Sequence, residues 1–337
     1  MHAAHIYVFS GTGNSAHAAR MIQDALGNAG WDTVRIPVRR GARIRGSSRG
    51  APLNVFLFPV YACSVPHIMA RFLRRLAPGG GARAAVICTV GRSDPKQPDG
   101  YEGAALMQAR RILSRRGYTV FLTDRLDYPA SITNIMPPPA PSLAEPMLRE
   151  AGEHAAAIAV RIARGEPGIR PCSLLNQAWS RLFGFLYSTA GRFMMGKLFV
   201  ADGTCDVCRI CEKACPARAI SMVCGKPWWR WRCEGCERCM NLCPRRAVQV
   251  SPARILLFSA PLIWNPLVLA AFALLGPIGA LPGAAILVHL FAYTAALILL
   301  DPIAGILERT PLVRRLFELS WTRRFRRYTA PDFDPSD

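Results

Sequence analysis

The stretch Cys205–Pro244 begins with CDVCRICEKACP and ends with CEGCERCMNLCP, two runs that share the spacing C-x₂-C-x₂-C-x₃-C-P. Three closely spaced thiolates suit three irons of a cubane cluster, and in twin runs the fourth ligand comes from the other run. The sequence therefore predicts two [4Fe–4S] clusters. The predicted ligands of the first are Cys205, Cys208, Cys211 and Cys243, and those of the second are Cys233, Cys236, Cys239 and Cys215.

Zinc is the other metal that such thiolates bind, usually through paired C-x₂-C knuckles. Two four-cysteine runs, each closed by proline, match that pattern poorly. Cys224 lies between the runs, fits no ligand position and is expected to pack beside the clusters. Trp228, Trp229 and Trp231 are expected to cover the clusters or to meet a membrane interface.

Ahead of the cysteines, residues 5–165 alternate between short apolar runs and longer amphipathic stretches. This alternation predicts an α/β domain with a parallel, doubly wound sheet that has helices on both faces. The predicted strands are Ile6–Phe9, Thr33–Pro37, Val55–Pro59, Ala84–Val90 and Tyr118–Thr123. The predicted helices are Ser15–Gly27, Pro66–Leu76, Gly103–Arg116 and, after a proline-rich loop at 136–141, Leu148–Arg164.

The first strand runs into a glycine loop, Ser10-Gly-Thr-Gly-Asn-Ser15, and a helix follows. Backbone N–H groups at a helix N-terminus, with hydroxyls interleaved, bind a phosphate without lysine or arginine. The Walker lysine and the third glycine of the dinucleotide fingerprint are absent, so a monophosphate such as that of FMN fits better. A glycine-rich turn with an N-cap is the alternative. Loops 59–66 and 89–92 are expected at the same edge of the sheet.

The glycine loop, the Pro59-Val-Tyr61 loop and the twin cysteine runs together resemble a flavodoxin-like domain fused to a ferredoxin, as in a family of bacterial and archaeal electron carriers. The resemblance covers roughly residues 5–252. It implies an FMN-binding domain over 1–165 and a bacterial-type two-cluster ferredoxin domain, a small α+β unit, over 199–252. The FMN contacts that it implies are Ser10, Thr12, Gly13, Asn14, Ser15, Tyr61, Thr89 and Gly91. Ala62-Cys63 departs from the family's glycine-rich second loop.

Two further segments are apolar. The linker 166–198 overlaps an aromatic stretch, 174–199, which predicts either a connecting helix or a helix on a membrane surface. From Ile255 to Leu300 the chain has no Asp, Glu, Lys or Arg. Because one span needs about 20 apolar residues, this stretch predicts a two-helix transmembrane hairpin over 253–302. A buried core hairpin is the alternative.

The chain has a net charge of +20, and arginines are dense on both sides of this hairpin. Arg245, Arg246 and Arg254 precede it, and seven arginines between Arg309 and Arg327 follow within the basic amphipathic tail, 303–337. The positive-inside rule therefore predicts a cytoplasmic membrane protein with its domains facing the cytoplasm, and lipid as a partner. The N-terminus reads as a strand rather than an export signal. Since no nucleic-acid reader motif appears, nucleic acid is not an expected partner.

The predicted function is electron transfer between FMN and the two clusters. Flavin holds two electrons and releases them singly, whereas each cluster accepts one, so such a chain links a soluble donor to a redox partner. That partner is a redox protein or a small molecule, and no acid–base pair points to a particular oxidoreductase substrate. The alternative is a redox or iron–sulfur sensor that passes the state of its clusters to a partner at the membrane.

Overall fold

A five-stranded parallel sheet forms the N-terminal half of the protein. The computed structural model describes residues 2–41, 53–96, 100–261, 282–308 and 310–335. The strands lie in the order β2-β1-β3-β4-β5, which is the flavodoxin-like order with its switch point between β1 and β3. The predicted doubly wound sheet is confirmed. Strand bounds are β1 His2–Val8, β2 Trp31–Pro37, β3 Leu53–Pro59, β4 Arg83–Arg92 and β5 Thr119–Pro129.

The central strands are buried on both faces because their sequences are mostly apolar, as is typical of parallel strands. In β3, Val55 and Leu57 face one helical layer, whereas Phe56 and Phe58 face the other. The first layer consists of α1 and α4, and the second of α2 and α3. Helix bounds are α1 Asn14–Asn28, α2 His67–Arg75, α3 Ala105–Arg115 and α4 Pro141–Arg164.

The two largest errors in the predicted boundaries are at the start of α4 and at the end of β5. Helix α4 begins at Pro141 rather than at Leu148, because proline is well suited to the first turn of a helix, where its missing N–H would have no partner. Strand β5 continues to Pro129 instead of ending at Thr123, since it pairs with β4 as far as Arg92. The longer strand brings residues 129–134 to the carboxyl edge of the sheet.

The cysteine-rich segment is built from two similar halves. Helix α7 (Ile210–Lys213) contains the third cysteine of the first run, and α8 (Arg238–Asn241) contains the third cysteine of the second. Val207 and Gly235, which are equivalent, have φ angles of 59° and 65°. Two antiparallel pairs frame the halves, namely β6 (Phe199–Ala201) with β9 (Val248–Val250) and β7 (Ile220–Val223) with β8 (Lys226–Trp229).

The linker contains α5 (Leu174–Leu186), a π-helical turn (Tyr187–Gly191) and α6 (Arg192–Lys197). After β9, residues 252–261 are helical (α9), and α10 (Pro282–Leu307), α11 (Pro311–Glu318) and a 3₁₀ turn (Trp321–Arg324) follow. Phe258, Tyr293, Leu297, Ala304 and Phe317 form a small core among the C-terminal helices.

The predicted hairpin is described only in part, because residues 262–281 lie outside the described ranges. Within those ranges no single helix is long and apolar enough to cross a membrane. Phe291–Leu307 and Pro311–Glu318, which are bent by 116° relative to each other, meet the length and composition requirement only as a pair.

Candidate functional site

Four cysteines surround a small cavity at the first run. Three come from that run and the fourth comes from the end of the second run. Burial raises the pKa of the Cys211 thiol to about 12, and the neighbouring thiols of Cys243, Cys205 and Cys208 add to this effect. The cavity is thus lined by Cys205, Cys208, Cys211 and Cys243.

A second small cavity has the reciprocal arrangement. Its walls include Cys233, Cys236 and Cys239 from the second run and Cys215 from the first. Burial raises the pKa of the Cys236 thiol to about 12, and the nearby Cys215 thiol adds to this effect. Each cavity therefore gathers sulfur donors in the crossed combination that twin four-cysteine runs give to a pair of cubane clusters.

Hydrogen-bond donors point at several of these sulfurs. The backbone N–H of Ala219 lies 3.2 Å from Cys215 Sγ, and the N–H of Ala247 lies 3.2 Å from Cys243 Sγ. The indole N–H of Trp229 lies 3.4 Å from Cys239 Sγ. Such donors favour the thiolate form and tune the potential of a bound cluster.

A single zinc ion and a cubane cluster make different demands on four cysteines. A zinc ion holds four sulfurs at about 2.3 Å from one point, whereas a cubane fills the space among its ligand sulfurs and keeps them further apart. In the part of the chain that the structure describes, no three His, Cys, Asp or Glu side chains are grouped to hold one ion.

The remaining cysteine and tryptophans of this segment lie elsewhere. Cys224 is exposed in the turn of the β7–β8 hairpin, so its expected packing beside the clusters was wrong. Of the three tryptophans, Trp229 lines the second cysteine cavity. Trp228 and Trp231 instead contact the ammonium of Lys197, at 5.1 and 4.6 Å from their ring centres.

The glycine loop lies between β1 and α1, at the carboxyl edge of the sheet, as predicted. Gly13 has a φ of 106° and precedes α1, a backbone conformation that favours glycine. The loop's polar groups have protein partners. Thr12 Oγ1 donates to Ser131 Oγ at 2.8 Å, Asn14 Nδ2 donates to the Pro129 carbonyl at 3.0 Å, and Ser10 Oγ accepts from Gly13 N at 3.1 Å.

The other predicted flavin contacts gather around the same loop. The hydroxyls of Ser15 and Thr89 are 2.7 Å apart. The Tyr61 ring meets Phe9 edge-on at 6.2 Å, and its hydroxyl oxygen would lie 2.6 Å from a Cβ at Gly11. Gly91 packs against Ala130.

The C-terminal tail, which we define as residues 328–335, covers this loop. Ala330 N donates to the Thr12 carbonyl at 2.9 Å, and the Tyr328 hydroxyl donates to Asn14 Oδ1 at 2.7 Å. The Phe333 ring packs so closely on Gly13 that a Cβ there would lie 2.9 Å from it. Nothing in the sequence pattern indicated that the tail would fold back onto a loop at the other end of the chain.

The second cysteine run covers the rest of the carboxyl edge. The guanidinium of Arg238, almost fully buried, donates to the carbonyls of Ser10 at 2.6 Å and Gly11 at 3.0 Å. Glu237 accepts from Asn134 N at 3.1 Å, and burial raises the pKa of its carboxyl to about 8. These charged residues within a cysteine run are its contacts to the sheet, a role that the spacing of the cysteines does not reveal.

These contacts bear on whether FMN fits. The hydroxyls of the loop bond to protein groups, and the tail and Arg238 occupy its outer side. In this arrangement the loop does not fit a phosphate group. The shape of the loop, with Gly13 leading into the N-terminus of α1, is nevertheless the shape that binds phosphate elsewhere.

Solved structures similar to the chain include oxidised Flavodoxin 2 from Bacillus cereus, at 15% identity over 49% of this chain and 99% of that one, with a TM-score of 0.36. A flavodoxin from the domain Archaea is 17% identical over 48% of this chain and 99% of that one, with a TM-score of 0.33. An azoreductase from Bacillus anthracis str. Sterne is 12% identical over 47% of this chain and 99% of that one, with a TM-score of 0.34. These TM-scores are low, and it is the strand order β2-β1-β3-β4-β5 that defines the flavodoxin-like sheet. No protein-family model and no curated protein matches the chain.

Proposed function

We propose that this chain is a membrane-anchored electron-transfer protein whose carriers are two [4Fe–4S] clusters. The observation that carries the proposal is the crossed grouping of the eight cysteines around two cavities. Bound there, each cluster would take up and release one electron. The N–H donors of Ala219, Ala247 and Trp229 would stabilise the thiolate ligands.

The same grouping keeps the two carriers close together. Cys211 belongs to the first quartet and Cys215 to the second, and four residues of chain span at most about 14 Å. Cys239 and Cys243 link the cavities in the same way. Electrons would therefore pass between the two centres within one compact unit, without a mobile carrier.

FMN enters the proposal as a ligand of the Ser10–Ser15 loop only when the tail is displaced. Strand order supports this site, because ligands of doubly wound sheets bind at the carboxyl ends of strands beside the switch point. With Ala330 and Phe333 in place the loop does not fit a phosphate. The electron route proposed here therefore runs through the cysteine quartets and includes no flavin step.

An ion pair at the ends of the apolar stretch supports a membrane hairpin. Arg254 precedes the uncharged residues and Glu308 follows them, and Arg254 Nε lies 2.6 Å from Glu308 Oε1. Lys197 Nζ is likewise 2.6 Å from Asp301 Oδ2. Since both ends meet, the chain would leave and re-enter on one side. Arg254 is buried in this pair, so it does not belong to the exposed basic flank assumed from the sequence.

Helix α5 supports contact with a membrane surface. It is only 13 residues long, yet seven of its large apolar side chains are exposed. Such a density of apolar side chains marks a membrane or protein interaction surface. The seven are Leu174, Leu175, Trp179, Leu182, Phe183, Phe185 and Leu186.

One observation favours the sensor alternative. The tail that follows the predicted membrane segment contacts the loop through Thr12 and Asn14, and it also contacts the second cysteine run, since Tyr328 N donates to Asn241 Oδ1 at 2.9 Å. A change at that cysteine run would reach the tail directly. A sensor of this kind would release the tail from the loop when its clusters are reduced. It would show no steady turnover with any electron acceptor.

The test is a reductive titration of the full chain, purified without oxygen in detergent. Stepwise dithionite should bleach absorbance near 400 nm and should consume two electrons per chain, one for each cluster. Cys224→Ser, which removes a cysteine outside both cavities, should give the same titration. A chain that consumes no electrons after reconstitution with iron and sulfide would refute the proposal.

A further inference from the structure

A cleft lined by arginines opens beside the second cysteine quartet, with a volume of about 400 Å³. Four different segments contribute arginines to it, and Glu234 is the one carboxylate among the described residues that line it. These segments are the loop after β2, helix α2, helix α6 and the start of the second cysteine run, and each of them brings positive charge to the cleft. The arginines are Arg39, Arg40, Arg71, Arg75, Arg192 and Arg232.

Hydrogen bonds and an ion pair hold several of these arginines in place. Arg40 N donates to the Pro216 carbonyl at 2.9 Å, and Arg232 Nε donates to the Arg218 carbonyl at 2.7 Å. Arg192 Nη1 lies 3.7 Å from Glu234 Oε1. Arg71 and Arg75 are exposed on α2 and point their charge to solvent.

The positive potential is strong enough to act on a neighbouring histidine. Burial lowers the pKa of His67, and the nearby arginines, Arg192 first among them, lower it further, to about 4. His67 is therefore neutral at physiological pH. A site of this kind attracts anions and raises their local concentration.

Only a thin wall separates the cleft from the second cysteine cavity. Ala217 and Glu234 line both. Pro216, which binds Arg40 through its carbonyl, directly follows the ligand candidate Cys215. A molecule seated in the cleft would be separated from a second cluster by little more than these side chains.

We infer that the arginine cleft is the docking site of an acidic, one-electron carrier protein that exchanges electrons with the second cluster. This inference rests on the proposed function. In the exchange the carrier loses one electron and the cluster gains it, or the reverse, and no bond forms or breaks. A hydride donor does not suit this position, since it delivers two electrons together and a cluster accepts one.

The spread of the charge favours a protein over a small anion. Arg74 on α2 and Arg230 before the second run extend the basic surface beyond the cleft, since each lies close enough to act on His67 or Arg232. A nucleotide or pyrophosphate would need only the cleft itself. Complementary charge over such a surface would speed the encounter with an acidic partner.

The probe is an acidic plant-type [2Fe–2S] ferredoxin mixed with the full chain in detergent. Binding is measured by calorimetry, and electron exchange by stopped-flow absorbance over a range of salt. Arg71→Glu with Arg75→Glu should weaken binding and slow the second-order rate at low salt by about tenfold or more, with a smaller effect at high salt. The matched control, Arg110→Glu with Arg115→Glu on the exposed side of α3, should stay within about twofold of wild type.

The outcomes separate this inference from the function on which it rests. Binding that depends on the cleft in a chain without iron would refute the clusters and leave the docking site standing. An iron-loaded chain whose cleft variants bind and react like wild type would refute the docking site alone, as would an equal loss in the control. Tight binding of pyrophosphate with no binding of ferredoxin would replace the protein partner by a small anion.

Discussion

The backbone N–H of Ala330 lies 2.9 Å from the carbonyl oxygen of Thr12 and donates a hydrogen bond to it. This bond joins the C-terminal tail to the loop for which the sequence predicts a phosphate. The predicted membrane segment lies between the two in the sequence. Tyr328 and Phe333 extend the contact to Asn14 and Gly13. The tail and a flavin phosphate should therefore compete for one loop.

Removal of the tail should open that loop to FMN. A chain that ends at Arg327 loses the bonds to Thr12 and Asn14, which are each worth roughly 0.5–1.5 kcal/mol. The Kd for FMN, measured by quenching of flavin fluorescence, should fall about tenfold or more. Thr12→Ala with Asn14→Ala in the shortened chain should reverse the gain. Equal affinity for riboflavin and FMN would contradict a phosphate role for the loop.

Ligation should be crossed between the two runs. Cys243→Ala should abolish the same electron paramagnetic resonance signal of the reduced protein as Cys208→Ala, because both residues line the first cavity. The signal lost in Cys236→Ala should persist. If Cys243→Ala instead resembles Cys236→Ala, each run binds its own cluster and the crossed assignment is wrong.

Arg238 should be important for stability. Its guanidinium supplies donors to the buried carbonyls of Ser10, Gly11 and Ala214, so Arg238→Ala should lower the free energy of unfolding by about 3 kcal/mol. Thermal unfolding should show a midpoint lower by about 5 °C or more. Arg245→Ala, which removes a solvent-exposed pair with Asp206, should lower the midpoint far less, because water screens such pairs. Equal midpoints in the two variants would contradict this assignment.

The membrane topology also has a direct test. Single cysteines at Ala280 and Ser336, in a background without Cys63, Cys88, Cys172 and Cys224, are exposed to an impermeant thiol reagent on intact cells. The paired ends of the apolar stretch, Arg254 and Glu308, favour a hairpin with position 280 outside. Labelling at 280 but not at 336 is the expected result. Labelling at 336 but not at 280 would reverse the orientation.

The fold of the N-terminal domain was predictable because each element carries a local signal. The apolar run Val55–Pro59 predicted β3, and the glycine loop predicted the start of α1, each to within a few residues. Helix α4 was misplaced because a proline-rich segment reads as a loop even when its last proline begins a helix. Strand β5 was predicted too short because its polar end, from Asp124 onward, is specified by pairing with β4 rather than by apolar character.

The candidate site was predictable only where spacing determines it. The cysteine motif, taken with the crossed ligation of bacterial-type two-cluster ferredoxins, predicted the same two groups of four cysteines that line the two cavities. Packing between distant segments leaves no such pattern. Three contacts of this kind could not be predicted, because their partners meet only in the folded chain. They are the hydrogen bonds of Arg238 to Ser10 and Gly11, the packing of the tail on Gly13 and the ion pair of Arg192 with Glu234.

The most direct test of the central claim is a count of iron, acid-labile sulfide and zinc in the chain after purification without oxygen. Two cubane clusters require about eight irons and eight sulfides per chain, with broad absorbance near 400 nm. Cys224→Ser should leave these values unchanged, whereas Cys208→Ser should reduce them by about half. Stoichiometric zinc, with neither sulfide nor absorbance near 400 nm, would contradict the account.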